Sequence, residues 1–221
     1  MIITIDGPAG SGKSTAARKL AARLEVPYLD TGAMYRALAY LALHDGVALT
    51  DTESLVRLAR DATLELDCGP THTRVKANGH DVTEAIRSLE VSQSTSPIAR
   101  TQAIRDILVE KQRKIGADLG AFVTEGRDQG SVVFPDADVR FVLDADLDKR
   151  AERRFQEMAA DGEEVDIADI RANLASRDAN DACQWAALLA PGEAILIDTT
   201  HMTISEVVDR LQAHIRQIRQ A

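Results

Sequence analysis

The sequence predicts an α/β fold built around a parallel β-sheet. Short apolar runs typical of strands alternate with longer segments that repeat apolar residues at helical spacing. A glycine-rich loop also stands between the first of these strands and the first helix. The strand-like runs lie at 2–6, 121–124, 139–143 and 194–197, and the later helical repeats lie at 147–160 and 204–218.

The glycine-rich loop fits the phosphate-binding pattern G-x-x-x-x-G-K-[ST]. In such a loop, the backbone N–H groups and the start of the next helix face the phosphates of a nucleotide. We expect Lys13 beside the β and γ phosphates, and the Ser14 hydroxyl in the shell of a magnesium ion. The residues predicted here to bind ATP are Gly7, Pro8, Ala9, Gly10, Ser11, Gly12, Lys13, Ser14 and Thr15.

The composition argues against several classes of protein. A chain of 221 residues, 45% hydrophobic and 28% charged, is ordinary for one globular domain. The net charge of −9 argues against a nucleic-acid surface. No apolar run approaches the ~18 residues that cross a membrane, and Met1 leads directly into a strand without a basic leader. We therefore expect a cytoplasmic protein without a nucleic-acid or membrane partner.

The cysteines and histidines show no metal-binding or disulfide pattern. Cys68 and Cys183 lie far apart and form no C-x-x-C pair, and the five histidines lack the spacing of zinc ligands. We expect reduced thiols and no zinc site.

Two segments between the core elements look like insertions. Residues 73–82 predict a β-hairpin, because Asn78 and Gly79 suit the positive φ angles of its turn. Residues 161–190 are polar and then alanine-rich, which is typical of a mobile lid. The arginines of this lid, Arg171 and Arg177, face no obvious core.

Arginines and carboxylates follow several strand ends and predict a second anion site. Asp30 ends a strand before a helix that starts near Gly32, and Glu125 follows the run at 121–124. Ligands bind at this edge of an open parallel sheet. Glu125 suits a magnesium site, whereas Asp30 suits either magnesium or the N-cap of its helix. Several nearby arginines would suit the acceptor phosphate of a kinase.

Five blocks of sequence carry a resemblance to a known family. They read I-D-G-P-A-G-S-G-K-S, Y-L-D-T-G-A-M-Y-R, N-G-H-D-V-T-E-A-I-R, E-G-R-D-Q-G-S-V-V-F-P-D-A-D and I-D-T-T, in that order. Over nearly the whole chain this resembles bacterial cytidylate kinases. The resemblance implies transfer of the γ-phosphate of ATP to CMP or dCMP, with Mg²⁺, giving ADP and CDP or dCDP.

The same resemblance implies the architecture. It implies a P-loop kinase fold, with a five-stranded parallel sheet flanked by helices, as a single domain over 1–221. It also implies a monophosphate-binding insert at about 36–115 and a lid at about 155–190. We expect a monomer.

The resemblance also implies roles for the residues at matching positions of this sequence. Lys13, Arg127 and Arg177 are the expected catalytic residues. The CMP-binding set is Thr31, Arg36, Arg87, Ser96, Arg105, Arg127, Asp128, Arg177 and Asp181. Within it, Thr31, Arg36 and Arg127 would hold the acceptor phosphate. Ser96, Arg105 and Asp128 would read cytosine. Asp181 would accept from a ribose hydroxyl.

The lid departs from the family pattern R-D-x-R-D-x-x-R at two positions. Asn180 and Gln184 stand where that pattern has arginine. We hypothesise that Arg177, together with Arg171 or Arg154, makes the missing contact. For Arg153 and Arg154, contact with the donor nucleotide and a solvated helix face are both open interpretations, and Arg154 joins the expected ATP set.

Two alternatives to a cytidylate kinase differ in their sequence requirements. A kinase of another small acceptor, such as UMP, shikimate or a coenzyme A precursor, would share the phosphate loop but would not need Ser96, Arg105 and Asp128 together. A GTP-dependent switch would need a guanine-binding motif such as N-K-x-D, which the sequence lacks.

Overall fold

The structure is a computed structural model that describes residues 1–160, 162 and 165–220, without the side chains of 180, 182–185, 219 and 220. The strands and helices follow one another as β1 (Ile2–Asp6), α1 (Lys13–Leu24), β2 (Tyr28–Asp30), α2 (Thr31–His44), α3 (Thr52–Asp61), β3 (Leu64–Cys68), β4 (Thr73–Ala77), β5 (His80–Asp81), α4 (Leu89–Arg100), α5 (Gln102–Leu119), β6 (Phe122–Glu125), β7 (Val139–Asp144), α6 (Leu147–Ala160), α7 (Ile167–Trp185), β8 (Ile195–Asp198) and α8 (Ile204–Gln220).

A five-stranded parallel sheet with the order β2-β6-β1-β7-β8, flanked by helices, confirms the predicted fold class. Ile3 of β1 lies opposite Val139 of β7, and Phe141 of β7 lies opposite Ile195 of β8. β7 is buried along most of its length, as a nearly continuous apolar run predicts for an interior strand. Parallel pairing brings the carboxyl ends of the strands to one edge, where the phosphate loop begins.

The chain divides into two compact units. The phosphate-loop unit consists of Met1–Leu24 and Val123–Ala221, and the middle unit consists of Glu25–Phe122. The segment expected as a monophosphate-binding insert, about 36–115, lies inside the middle unit.

The middle unit contains a second, antiparallel sheet of three strands. The predicted hairpin is confirmed in β4 and β5, and its turn has φ of 50° at Asn78 and 82° at Gly79. Strand β3 pairs with β4 and was not predicted. The sequence of β3 does show the alternation typical of a strand, because Leu64, Leu66 and Cys68 alternate with exposed acidic residues.

Local sequence fixes the ends of several helices. Thr203 and Glu206 form a reciprocal capping box at the start of α8, because the Thr203 N–H donates to the Glu206 carboxylate at 2.7 Å and the Glu206 N–H donates back to the Thr203 hydroxyl at 3.3 Å. Asp166 caps α7 by accepting from the Ala168 N–H at 2.8 Å.

The predicted lid contains the 19-residue helix α7. Ile170 and Leu174 on this helix are buried. Residues 161, 163 and 164 of the expected lid lie outside the described residues. Across the part of the chain that the structure describes, no helix combines the length and the apolar character needed to cross a bilayer.

Candidate active site

The phosphate loop turns sharply where β1 ends. Gly7 has φ of +134°, and a Cβ at this residue would lie 2.1 Å from the carbonyl oxygen of Leu143, so only glycine fits. The Ser11 hydroxyl and the Lys13 ammonium both donate to the carbonyl oxygen of Pro8, at 3.0 and 2.9 Å. Because α1 begins at Lys13, the free N–H groups of its first turn lie at the loop.

The surroundings of Lys13 favour a bound anion. The side chain is buried, and burial together with the positive charge of Arg127 lowers its pKa to about 7. The carboxylates of Glu125 and Asp6 oppose this shift, whereas the charge of Arg177 adds to it. A buried cation among other cations is stabilised by a nearby anion. This environment therefore suits a polyphosphate.

Ser14 and Glu125 place two oxygen ligands together. The Ser14 hydroxyl donates to the Glu125 carboxylate at 3.0 Å, and Glu125 is buried at the end of β6. Among the described residues, no group of three or more His, Cys, Asp or Glu side chains could hold a metal ion. The pair nevertheless fits magnesium, which usually keeps several waters and takes its other ligands from one or two carboxylates and nucleotide phosphates.

Three predicted site residues come together beside the loop. Arg127 follows β6, and its Nε donates to the Asp181 carboxylate on α7 at 3.1 Å. Arg177 lies one helical turn before Asp181. The Arg177 side chain reaches solvent, but partial burial of its guanidinium and then the charge of Arg127 lower its pKa. Arg177 therefore belongs to the same electrostatic site as Lys13 and Arg127.

Arg153 anchors α6 to the I-D-T-T block. Its guanidinium donates to the carbonyl oxygen of Thr199 at 2.5 Å and to the hydroxyl of Thr199 at 3.2 Å. The Thr199 hydroxyl in turn donates to the carbonyl oxygen of Ser11 in the phosphate loop at 3.1 Å. The I-D-T-T block is thus hydrogen-bonded to the backbone of the phosphate loop.

Arg154 and Arg171 differ in their relation to Arg177. Arg154 pairs with Glu157 at 3.1 Å, and its charge contributes to the lowered pKa of Arg177. Arg171 is exposed and pairs with Asp148 at 2.5 Å. Arg154 therefore acts on the Arg177 guanidinium electrostatically. Asn180 and Gln184 lie on α7, but their side chains lie outside the described residues.

Asp128 stands directly before a π-helical turn, Gln129–Val133, and its side chain is buried. The N–H groups of Gln129 and Gly130 donate to the Asp6 carboxylate at 2.8 Å each. Burial raises the pKa of Asp6 to about 6 even though these bonds favour the charged form. Sequence reasoning missed this supporting role of Asp6. The sequence could have indicated this role, because Asp6 is a carboxylate at the end of an apolar strand.

Arg150 is a second residue that sequence reasoning missed. It is buried on α6, and its guanidinium binds the Asp178 carboxylate on α7 through two hydrogen bonds. The sequence could have indicated this role, because Arg150 lies between Leu147 and Ala151, which form the side of α6 that packs against the protein.

In the middle unit, Thr31 and Arg36 lie at the start of α2. Thr31 is buried, and the Arg36 guanidinium donates to the Asp30 carboxylate at 3.0 Å. The other oxygen of Asp30 accepts from the Ala33 N–H at 2.9 Å. Of the two interpretations of Asp30, the structure shows the N-cap. Both of its oxygens accept hydrogen bonds, so a role of Asp30 in magnesium binding, through water, stays a prediction.

The other predicted CMP-binding residues of the middle unit lie on successive elements. Arg87 is exposed at the end of the 3₁₀ turn Ala85–Arg87, and Ser96 is exposed on α4. Arg105 is partly buried on α5. The three side chains therefore differ in their access to solvent.

A sequence model of the family described as cytidylate kinase matches residues 3–217. The chain belongs to the cytidylate kinase family. The cytidylate kinase of Caldanaerobacter subterraneus subsp. tengcongensis is 44% identical over 216 residues, covering 97% of this chain and 94% of the relative. Membership of the family confirms the resemblance carried by the five sequence blocks.

Some relatives are longer, and one solved structure supports the fold. The bifunctional pantoate ligase/cytidylate kinase of Synechococcus sp. (strain JA-3-3Ab) is 46% identical over 221 residues, covering 98% of this chain. The chain spans about two fifths of the length of the bifunctional relatives that it matches. The crystal structure of an uncharacterized protein from Eubacterium ventriosum superposes with a TM-score of 0.55 at 16% identity, covering 98% of both chains.

Proposed function

We propose that this protein transfers the γ-phosphate of ATP to CMP or dCMP, giving ADP and CDP or dCDP. The observation that carries the proposal is the buried Lys13 ammonium at the start of α1, close enough to Arg127 and Arg177 for their charges to lower its pKa. Phosphoryl transfer depends mainly on positioning and on neutralising the charge of donor and acceptor. A prearranged cluster of cations beside a phosphate loop, in a chain of this family, suits that task.

The donor side of the proposed site is the loop from Gly7 to Thr15, with Arg154 at its margin. Lys13 would contact the β and γ phosphates of ATP. Ser14 and Glu125 would hold Mg²⁺ through the Ser14 hydroxyl, water and the phosphates. The bound ion would supply further neutralisation of the phosphate charge.

On the acceptor side, a phosphate oxygen of CMP would attack the γ-phosphorus of ATP. The new P–O bond forms as the bond between the γ-phosphorus and the β–γ bridging oxygen breaks, and ADP leaves with that electron pair. The attacking oxygen is already a nucleophile, so the step needs no general base. Arg127 and Arg177 would neutralise the transferring group, while Thr31 and Arg36 would hold the acceptor phosphate and Arg87 would add a basic contact.

Recognition of cytosine is proposed for Asp128, Arg105 and Ser96. The exocyclic amino group of cytosine can donate to the Asp128 carboxylate, and its N3 can accept from Arg105. Uracil reverses both groups, so it would set a carbonyl against a carboxylate and an N–H against a guanidinium. Asp181 would accept from a ribose hydroxyl, and its place beside Arg127 supports a position near the acceptor.

We also propose that Arg177 and Arg154 together supply the charge that Asn180 and Gln184 cannot. The effect of Arg154 on the pKa of Arg177 supports this pairing. Arg171 fits less well than Arg154, because its Nε is bound to Asp148, whereas the charge of Arg154 lowers the pKa of Arg177.

The test is release of ADP with CMP, dCMP, UMP, AMP, GMP, shikimate and a coenzyme A precursor as acceptors. We expect kcat/KM for CMP and dCMP to exceed that for UMP by about 10³-fold, because UMP would leave buried polar groups mispaired. Asp128→Asn should reduce the ratio of kcat/KM for CMP to kcat/KM for UMP about tenfold, since an amide can also donate to the O4 carbonyl of uracil. Asp136→Asn, at an exposed carboxylate in the segment after the π-helical turn, is the matched control. Equal use of UMP and CMP, or an unchanged ratio in Asp128→Asn, would refute the cytosine model.

A further inference from the structure

Arg150 joins three segments of the phosphate-loop unit through one guanidinium. Its Nε donates to the carbonyl oxygen of Ala145, which follows β7, at 2.8 Å. One terminal nitrogen donates to the carbonyl oxygen of Ala9 in the phosphate loop at 3.1 Å. The two terminal nitrogens also bind the two carboxylate oxygens of Asp178 on α7, at 3.1 and 2.6 Å. Its neighbours therefore include the loop that precedes α1 and the helix that carries Arg177.

Arg150 is buried, and its partner Asp178 is partly buried. The Arg150 side chain is 6% exposed and the Asp178 side chain is 26% exposed. A buried guanidinium needs its carboxylate, because removing one partner leaves an uncompensated charge. The two parallel hydrogen bonds also fix the angle between the two groups, which a lysine could not do.

Apolar packing also holds the phosphate loop, α6 and α7 together. Ala9 of the loop, Ala151 of α6, and Ile170 and Leu174 of α7 form one buried cluster. Gly10 approaches α6 so closely that a Cβ there would lie 3.0 Å from the Cβ of Arg150. The phosphate loop and α7 thus both rest on the first two turns of α6.

The helical geometry links this pair to the proposed catalytic arginine. Asp178 follows Arg177 directly, and Asp181 lies about one turn further along α7. A carboxylate held at a fixed distance and angle sets both the rotation of a helix and its position along the axis. Holding Asp178 therefore also sets where the Cα atoms of Arg177 and Asp181 stand relative to the phosphate loop.

We infer that Arg150 is a positioning residue that aligns α7 with the phosphate loop through Asp178, so that Arg177 meets the transferring phosphoryl group. The inference rests on the role proposed above for Arg177. Arg150 itself would touch neither nucleotide. Loss of Arg150 would lower kcat, because Arg177 would no longer be aligned with the transferring phosphoryl group.

A second ion pair between α6 and α7 gives a matched control. Asp148 and Arg171 also join these helices, but their side chains are 80% and 55% exposed. Exposed ion pairs contribute little, since water already solvates both partners. Asp148→Asn breaks a contact between the same two helices without touching the buried pair.

The experiment is a double-mutant cycle between Asp178→Asn and Arg177→Ala, measured as kcat and as KM for ATP and CMP. We expect Asp178→Asn alone to lower kcat about tenfold, with KM for ATP changed less than about twofold, because the loop stays intact. Arg177→Ala should lower kcat about 10²-fold in the unmodified protein, but less than about tenfold in the Asp178→Asn background. Asp148→Asn should leave kcat and the effect of Arg177→Ala unchanged.

The outcomes separate this inference from the proposed function. If Arg177→Ala is equally damaging with and without Asp178→Asn, Arg177 keeps its role and the positioning inference is wrong. If Arg177→Ala is silent in the unmodified protein, the proposed role of Arg177 and the inference fall together. Should Asp178→Asn fail to fold by circular dichroism, Arg150→Lys, which keeps the charge but loses the two-fold contact, replaces it in the same cycle and is judged by the same criteria.

Discussion

Lys13 and Arg150 of the phosphate-loop unit and Arg87 of the middle unit lie in opposite environments. Lys13 and Arg150 are buried and bind carbonyl or carboxylate oxygens of their own unit. Arg87 of the middle unit is exposed at the end of a short 3₁₀ turn. Charges fixed before the nucleotide arrives can act on the transition state without rearranging, whereas a solvated cation must first exchange its water. We expect substitutions in the first unit to lower kcat and those in the second to raise KM.

The largest expected effect is that of Lys13→Ala, which should lower kcat about 10³-fold because it removes a preorganised charge beside the proposed position of the γ-phosphate. Lys19→Ala removes an exposed lysine of the same helix and should leave kcat unchanged. The measurement is ADP release at saturating ATP and CMP, with circular dichroism to check the fold. Near-normal turnover in a folded Lys13→Ala protein would disprove the assignment of the donor site.

Arg177→Ala should lower kcat about 10²-fold, less than Lys13→Ala, because the charge of Arg154 remains close by. Gln184→Arg should change kcat less than about threefold, since in the proposed site Arg177 and Arg154 already neutralise the transferring group. Both are measured by the same assay. A large gain from Gln184→Arg, combined with a silent Arg177→Ala, would show instead that the lid of this protein lacks a compensating charge.

Arg87→Ala tests the middle unit and should raise KM for CMP about fivefold while leaving kcat within about twofold, because an exposed cation contributes modest binding energy. Arg74→Ala, at another exposed arginine of the same unit, is the control for net charge. Initial rates over a range of CMP concentrations separate the two parameters. A kcat effect as large as that of Arg177→Ala would remove the distinction between the units.

A separate expected effect of Lys13 concerns stability and pH. Burial lowers the pKa of Lys13 from its ordinary value of 10.5 to about 7, so between these values the unfolded chain binds a proton that the folded chain does not. The contribution of Lys13 to stability therefore increases as pH rises from 7 to 10, by up to about 1.4 kcal/mol per pH unit. Lys13→Met should be more stable than the unmodified protein at pH 7, with a gap that shrinks by pH 10.

The free energy of unfolding in urea at pH 7, 8.5 and 10 measures that gap. Lys19→Met, at an exposed lysine, should show the same pH dependence as the unmodified protein. A gap that stays constant with pH would mean that Lys13 keeps its ordinary pKa in the folded protein.

The sequence alone determined the elements whose signals are local. The loop from Gly7 to Ser14 needs its residue types at fixed spacing, and the helix at 147–160 shows its period within its own length, so both were predictable. The same holds for the turn at Asn78 and Gly79, which demands positive φ angles. The five collinear blocks also sufficed to place the chain in its family.

The tertiary structure decided the contacts that support these elements. Asp6 accepts from Gln129 and Gly130, more than 120 residues away, and Arg150 reaches Ala9 across 141 residues of sequence. Periodicity and turn preferences describe neighbours along the chain, and they carry no information about which distant backbone groups a buried charge will meet. The sequence predicted which residues of the loop would face a phosphate, whereas the tertiary structure determined which buried charges lie against that loop.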